Sequence, residues 1–145
     1  MCKVSIFMTC DYHYGVAGAG VLLLAEMDGH APVSKYFYET DMYSSLAALK
    51  ALTKALKMIT KKCEVSIISD NTYIITLLKH KGLYIENNYR KKDGKPLANV
   101  TMVKDLYKIE EKKEKLFGQP FVYYTGTNNN IIFALKKRLF KDLIG

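Results

Sequence analysis

One stretch constrains this chain more than any other. From residue 63 to 69 the side chains are mostly apolar or β-branched, and Val65, Ile67 and Ile68 suit a buried strand. The run stops at Asp70, after which Tyr73, Ile74, Leu77 and Leu78 repeat at helical spacing. A strand passing straight into a helix predicts an α/β architecture with Asp70 at the carboxyl end of a strand. In open α/β sheets that edge is where ligands bind. Asp70 has a second reading, as the side chain that caps the first amides of the helix.

Upstream, residues 3–9 alternate with Val4, Ile6 and Met8 on one face, and the following Cys10-Asp11 puts a second acid just past a strand. Gly15, Gly18 and Gly20 permit a tight turn and close backbone approach. A strand follows them rather than a helix, so the segment reads as a hairpin and not as a dinucleotide-binding fingerprint. Residues 20–26 make the second strand, Asp28-Gly29 a turn, and residues 34–39 a third strand. Between 43 and 60 the period changes. Leu46, Leu49, Leu52, Leu56 and Ile59 form the stripe of an amphipathic helix, its alanines allow close packing, and Lys50, Lys54, Lys57 and Lys61 read as a solvated face.

Beyond the Asp70 unit, residues 79–96 interleave Lys79, Lys81, Arg90, Lys91, Lys92 and Lys95 with Tyr84 and Tyr89, and reach a turn at Asp93-Gly94. Such a segment can grip phosphates while its aromatic rings pack or stack; its plain reading is an exposed excursion. A Lys- and Glu-rich helix starting near Val100, a strand over 119–125, a polar loop over 126–130 and a closing helix over 131–143 complete the chain. The order is β-β-β-α-β-α-α-β-α, which predicts a mixed five-stranded sheet, an antiparallel meander plus crossover strands, with helices on its faces.

At 145 residues, with 49% hydrophobic and 25% charged side chains, residues 1–145 have the make-up of one globular domain. The net charge of +8 and a pI near 9.3 favour a polyanionic partner. Cys2, Cys10 and Cys63 show neither a C-x-x-C pair nor a histidine at ligand spacing, so neither a disulfide framework nor a zinc site is expected. No membrane-spanning run or leader pattern is read, and the expectation is a soluble cytoplasmic protein with no membrane partner.

Three segments, taken in order, carry a resemblance: Asp11 with Gly15-Val-Ala-Gly18-Ala-Gly20; Ser69-Asp70-Asn71-Thr72-Tyr73-Ile74; and Arg90-Lys-Lys-Asp-Gly-Lys95-Pro96-Leu-Ala-Asn99. Together they resemble the ribonuclease H family, in its type 1 bacterial form, over essentially the whole chain. The resemblance implies an RNase H fold, cleavage of the RNA strand of RNA/DNA hybrids, and two divalent metals held by four carboxylates. It assigns Asp11 to the first carboxylate and Asp70 to the third, as catalytic and metal-binding residues. Where the family has a Glu on the first long helix, this chain has Ser44 or Ser45, depending on register. Where the family has a His in the last loop and an Asp on the closing helix, this chain has Asn128 to Asn130 and then Ile-Ile-Phe-Ala134. Glu39, Asp41 and the loop asparagines are the substitutes to test, and Asp41 also reads as a helix cap.

The departures point to a degenerate active site, a weakly bound Mg or Mn ion at most, and a non-catalytic or weakly active module. That module binds RNA/DNA hybrid or duplex through Lys79, Lys81, Arg90, Lys91, Lys92 and Lys95, with a protein as a further partner. The alternative is an active Mg- or Mn-dependent ribonuclease H with relocated ligands.

Overall fold

The computed structural model describes residues 2–145. Strands β1 (Cys2–His13), β2 (Val16–Met27) and β3 (Val33–Asp41) form the antiparallel meander; β4 (Cys63–Ser69) and β5 (Val122–Thr125) add in parallel, giving the order β3-β2-β1-β4-β5. The helices are α1 (Ser44–Met58), α2 (Thr72–Lys79), α3 (Lys81–Glu86), α4 (Val100–Phe117) and α5 (Asn130–Ile144). The mixed five-stranded sheet is the one predicted; α3 is a short addition within the basic excursion.

The first two strands outrun the alternation that marks them. His13 pairs with Val16 across a two-residue loop, with Tyr14 at φ 52° and Gly15 at φ 80°. Positive φ at both loop positions suits a turn whose twist matches the flanking strands, so the hairpin hinges on Gly15. Asp11 consequently lies within β1, opposite Gly18, and not past the strand end as expected. Gly18 and Gly20 serve packing: a Cβ on Gly18 would meet Leu143 Cδ2 at 2.7 Å, and one on Gly20 would meet Leu139 Cβ at 3.3 Å. Their bare backbone lets α5 lie close on β2. At the other edge β5 is shorter than the predicted 119–125, because Phe121 leaves the ladder and is buried in the core.

Period-two alternation divides the side chains of β1 and β4 between two hydrophobic clusters. On one side Val4, Ile6, Met8, Val65 and Ile67 pack with Ala47, Ala48, Leu49, Ala51, Leu52, Ala55 and Leu56 of α1, Ile74, Leu77 and Leu78 of α2, and Val103, Leu106 and Tyr107 of α4. On the other, Phe7 and Ile68 pack under Ile132 and Leu135 of α5. The alanines of α1 are completely buried, which lets that helix seat tightly on the sheet. No helix among the described residues is long and apolar enough to cross a membrane.

Candidate functional site

The register of β1 and β4 brings the two acids to one edge of the sheet. Their last paired residues are Met8 and Ser69, so Asp70 comes beside Thr9, and Asp11 follows two residues further along β1. Alternation puts Thr9 and Asp11 on the Phe7 side, and Asp70 on the Ile68 side; both are the face covered by α5.

Asp70 does not cap α2. Asn71 does, its Oδ1 accepting from the Ile74 amide at 3.1 Å. The Thr9 hydroxyl instead lies 2.9 and 3.1 Å from the two Asp70 oxygens, and Lys136 Nζ on α5 donates to Oδ2 at 3.2 Å. Asp11 accepts from the Tyr12 amide at 2.9 Å, and its second oxygen lies 3.0 Å from His13 Nε2. Between the acids, Cys10 faces the opposite side of the sheet. Burial pushes its thiol up to about 11 against a contact from Asn71 Nδ2, which donates to Sγ at 3.2 Å and favours the thiolate. Cys10 is therefore a packed thiol at neutral pH and not a nucleophile.

The Ser44 carbonyl lies 4.0 Å from Cys10 Sγ, so the start of α1 reaches this edge. Ser45 Oγ accepts a 3.4 Å contact from Asn99 Nδ2. Glu39 and Asp41 are engaged elsewhere, with Lys54 at 3.2 Å and Lys50 at 3.3 Å. Asp41 does not cap α1: the N-cap is Tyr43, and Asp41 Oδ1 accepts from the Met42 amide. Asn129 caps α5 by accepting from the Ile131 and Ile132 amides, which uses the oxygen a metal would need. Among the described residues no group of three or more His, Cys, Asp and Glu is placed to hold a metal ion.

The basic residues divide into two sets. Lys79, Arg90, Lys91, Lys92 and Lys95 are exposed. Arg90 and Pro96 form an isolated bridge, the Lys91 amide donates to the Lys95 carbonyl at 2.8 Å, and Arg90 Nη1 donates to the Gly94 carbonyl at 3.0 Å, so the protrusion is a folded turn. His80, Leu83, Tyr84, Arg90, Lys91 and Lys92 line much of a groove of about 390 Å³ at its base. Lys81 stands apart from the expected phosphate-gripping set. Its ammonium donates to Glu110 at 2.7 Å and Glu114 at 2.9 Å in a part-buried cluster, and is engaged there and not free for a phosphate. Tyr89 stacks on Tyr107 with Lys104 over its ring, and Tyr84 packs on the core, so both aromatic residues serve the fold.

Sequence reasoning missed Thr9, His13 and Lys136. Only the pairing of β1 with β4 reveals Thr9, and only the docking of α5 reveals Lys136. The helical phase of Ile132, Leu135 and Leu139 identifies the inner side of α5, but does not show which strand end it faces.

Comparison with known proteins gives one consistent result. A Ribonuclease H of Rickettsia akari is 31% identical over 110 residues, covering 72% of this chain and 69% of that protein. One of Caldicellulosiruptor saccharolyticus is 22% identical over 136 residues, 92% of each. Against a Thermoanaerobacter Ribonuclease H, 29% identical over 79 residues, the match spans about half that protein's length, 51%. The crystal structure of LC9-RNase H1, a type 1 RNase H with the type 2 active-site motif, superposes with a TM-score of 0.70 at 14% identity, over 97% of this chain and 70% of that one. LC11-RNase H1 in complex with an RNA/DNA hybrid gives 0.55 at 17%, over 97% and 99%. No family model matches the chain.

Proposed function

The chain belongs to the ribonuclease H family, and from that premise we propose that it binds RNA/DNA hybrid, or a related duplex, with a carboxylate set too small for two-ion cleavage. The contact between Lys136 and Asp70 carries this reading. Two cations a few Å apart need several anionic ligands to offset their mutual repulsion while water and leaving oxygen are positioned. Here one of the two acids already faces an ammonium. The residues at the expected Glu position offer neutral hydroxyls, and the nearest substitute acids are held by Lys50 and Lys54. Asp11 and Asp70 are the residues that would hold an ion at this edge, with water completing its shell, and two acids support at most weak Mg or Mn binding.

The grip is the exposed protrusion. Arg90, Lys91, Lys92 and Lys95 supply phosphate contacts on a folded turn, and Lys79 extends the same charged surface. The hybrid held by LC11-RNase H1 is the ligand class proposed for this chain. The free thiols of Cys2, Cys10 and Cys63 suit the reducing cytoplasm in which such a ligand is met.

A labelled hybrid incubated with Mg²⁺ or Mn²⁺, wild type beside Asp70→Asn, tests the catalytic half. The expected outcome is salt-dependent binding without turnover above background; turnover that disappears in Asp70→Asn defeats the reading. Replacing Arg90, Lys91, Lys92 and Lys95 together by Gln should weaken hybrid binding and flatten its salt dependence, by roughly 0.9 in log–log slope for each phosphate that is no longer neutralised. Unchanged affinity moves the grip to another face.

A further inference from the structure

The outer side of α5 carries a feature that hybrid gripping by the protrusion does not use. Phe133 and Phe140, seven residues apart, lie on that side with 64% and 40% of their surfaces exposed. With Asp11, Lys136, Lys137 and Lys141 they line a groove of about 370 Å³. Lys137 Nζ stands 4.5 Å from the centre of the Phe133 ring, and the Phe140 ring meets His13 edge-on at 4.6 Å. Three ammonium groups therefore border two exposed rings, one carrying Lys137 over a face and the other in contact with His13, beside the edge that holds Asp11 and Asp70.

We propose that this groove binds an unpaired nucleic-acid strand, with bases stacked on Phe133 and Phe140 and phosphates held by Lys137 and Lys141, while Lys136 stays on Asp70. Charge complementarity selects the occupant. The rim has three lysines, of which Lys136 is paired with Asp70, and one carboxylate, Asp11; on a chain of net charge +8, the two remaining lysines favour a polyanionic ligand. Two exposed rings then require a polyanion with flat apolar faces, which is what an unstacked strand offers and a paired duplex conceals. The rings sit about 10 Å apart along the helix, at 1.5 Å per residue. That spacing suits an extended strand whose bases have separated, not a continuous stack. Asp142, which would weaken the field, is turned to the sheet and accepts from the Tyr36 hydroxyl at 2.5 Å.

The test is fluorescence anisotropy with a labelled oligothymidine of about ten nucleotides, beside a blunt RNA/DNA hybrid. Phe133→Ala with Phe140→Ala should weaken oligothymidine binding roughly tenfold or more and leave hybrid affinity unchanged. Lys137→Gln with Lys141→Gln should reduce the single-strand salt slope by about 1.4. Both variants alter exposed positions, and a thermal melt matching wild type verifies the fold. Oligothymidine affinity unchanged by the Phe pair overturns the proposal, whatever the hybrid result. So does polyglutamate displacing the strand as effectively as unlabelled oligothymidine, since the groove would then favour an acidic protein segment. Loss of hybrid binding in the protrusion variant, with oligothymidine binding retained, separates this face from the other.

Discussion

Lys136 Nζ lies 3.2 Å from Oδ2 of Asp70, and that carboxylate is only 17% exposed while the lysine is 46% exposed. The α5 helix thus delivers its own cation to the strand end where the resemblance expects a divalent ion. An internal ammonium requires no second or third acid, and among the described residues no group of three or more His, Cys, Asp and Glu is placed to hold a metal ion. The contact also ties α5 to the junction between β4 and α2.

Removing that ammonium should strengthen cation binding. In Lys136→Met the field of Asp11 and Asp70 is no longer offset, so Mn²⁺ affinity rises, by up to about fivefold for a pair this exposed to solvent. Calorimetric titration of Mn²⁺ into the two proteins measures it. Equal affinities would mean that Lys136 leaves Asp70 whenever a metal arrives, and that its contact sets nothing.

Gly126 follows β5 and donates its amide to the Ser69 carbonyl at 2.8 Å. A Cβ there would lie 2.9 Å from Ile68 Cγ2 and 3.1 Å from Ile132 Cγ1, both on buried side chains beneath α5. Gly126→Ala should therefore cost about 1–3 kcal/mol by overpacking, read from urea unfolding midpoints at constant slope. Gly82 is the control. It sits within α3 with nothing near its Cβ position, so Gly82→Ala should stabilise by about 0.5–1 kcal/mol through helix propensity and a less flexible unfolded chain.

Much of this fold was legible because it is written in local period. The alternation of Val4, Ile6 and Met8, the stripe from Leu49 to Ile59 and the switch at Asp70 each report a face that must be buried, and burial is what decides the sheet. The site was legible only as far as Asp11 and Asp70 sharing an edge. The partners of those acids come from Thr9, His13 and Lys136, and two of these contacts depend on strand register or on helix docking across more than sixty residues of chain. Local pattern also misassigned Lys81, because a lysine bound for a buried carboxylate pair looks the same in sequence as one bound for solvent. The cap of α2 reads one residue early in the sequence, at Asp70, and falls to its neighbour Asn71.

That last distinction is measurable. Asn71→Ala removes the side chain that accepts from the Ile74 amide and donates to Cys10, and should cost about 1 kcal/mol, within the usual range for an N-cap deletion. The same change removes the hydrogen bond that favours the Cys10 thiolate, so alkylation of Cys10 at alkaline pH should slow in the folded variant. Asp70→Asn should leave the α2 cap intact. A larger loss of α2 amide protection in Asp70→Asn than in Asn71→Ala would reverse the assignment.

The strongest electrostatic prediction concerns Lys81, Glu110 and Glu114. Glu110 is completely buried, and burial raises its carboxyl above the ordinary range against the opposing pull of Lys81. Desolvation alone would lower Lys81, but its contacts with Glu110 and Glu114 outweigh it and raise the ammonium. A lysine raised in the folded state contributes stability below its unfolded value, lost as pH climbs through the folded one, so the lysine's share of this pairing is present at neutral pH and lost in alkali. Lys81→Met leaves two carboxylates facing each other without a counter-ion, and should cost about 3–5 kcal/mol at pH 7. The sign of its pH dependence follows from Glu110. With the lysine gone that carboxyl rises further, the folded variant binds a proton the unfolded chain releases, and its stability falls as pH increases from acid towards neutrality. Urea unfolding of wild type and variant at pH 5 and pH 7 should show the gap narrowing at the lower pH; a gap independent of pH would mean that impaired packing, and not unpaired charge, accounts for the damage.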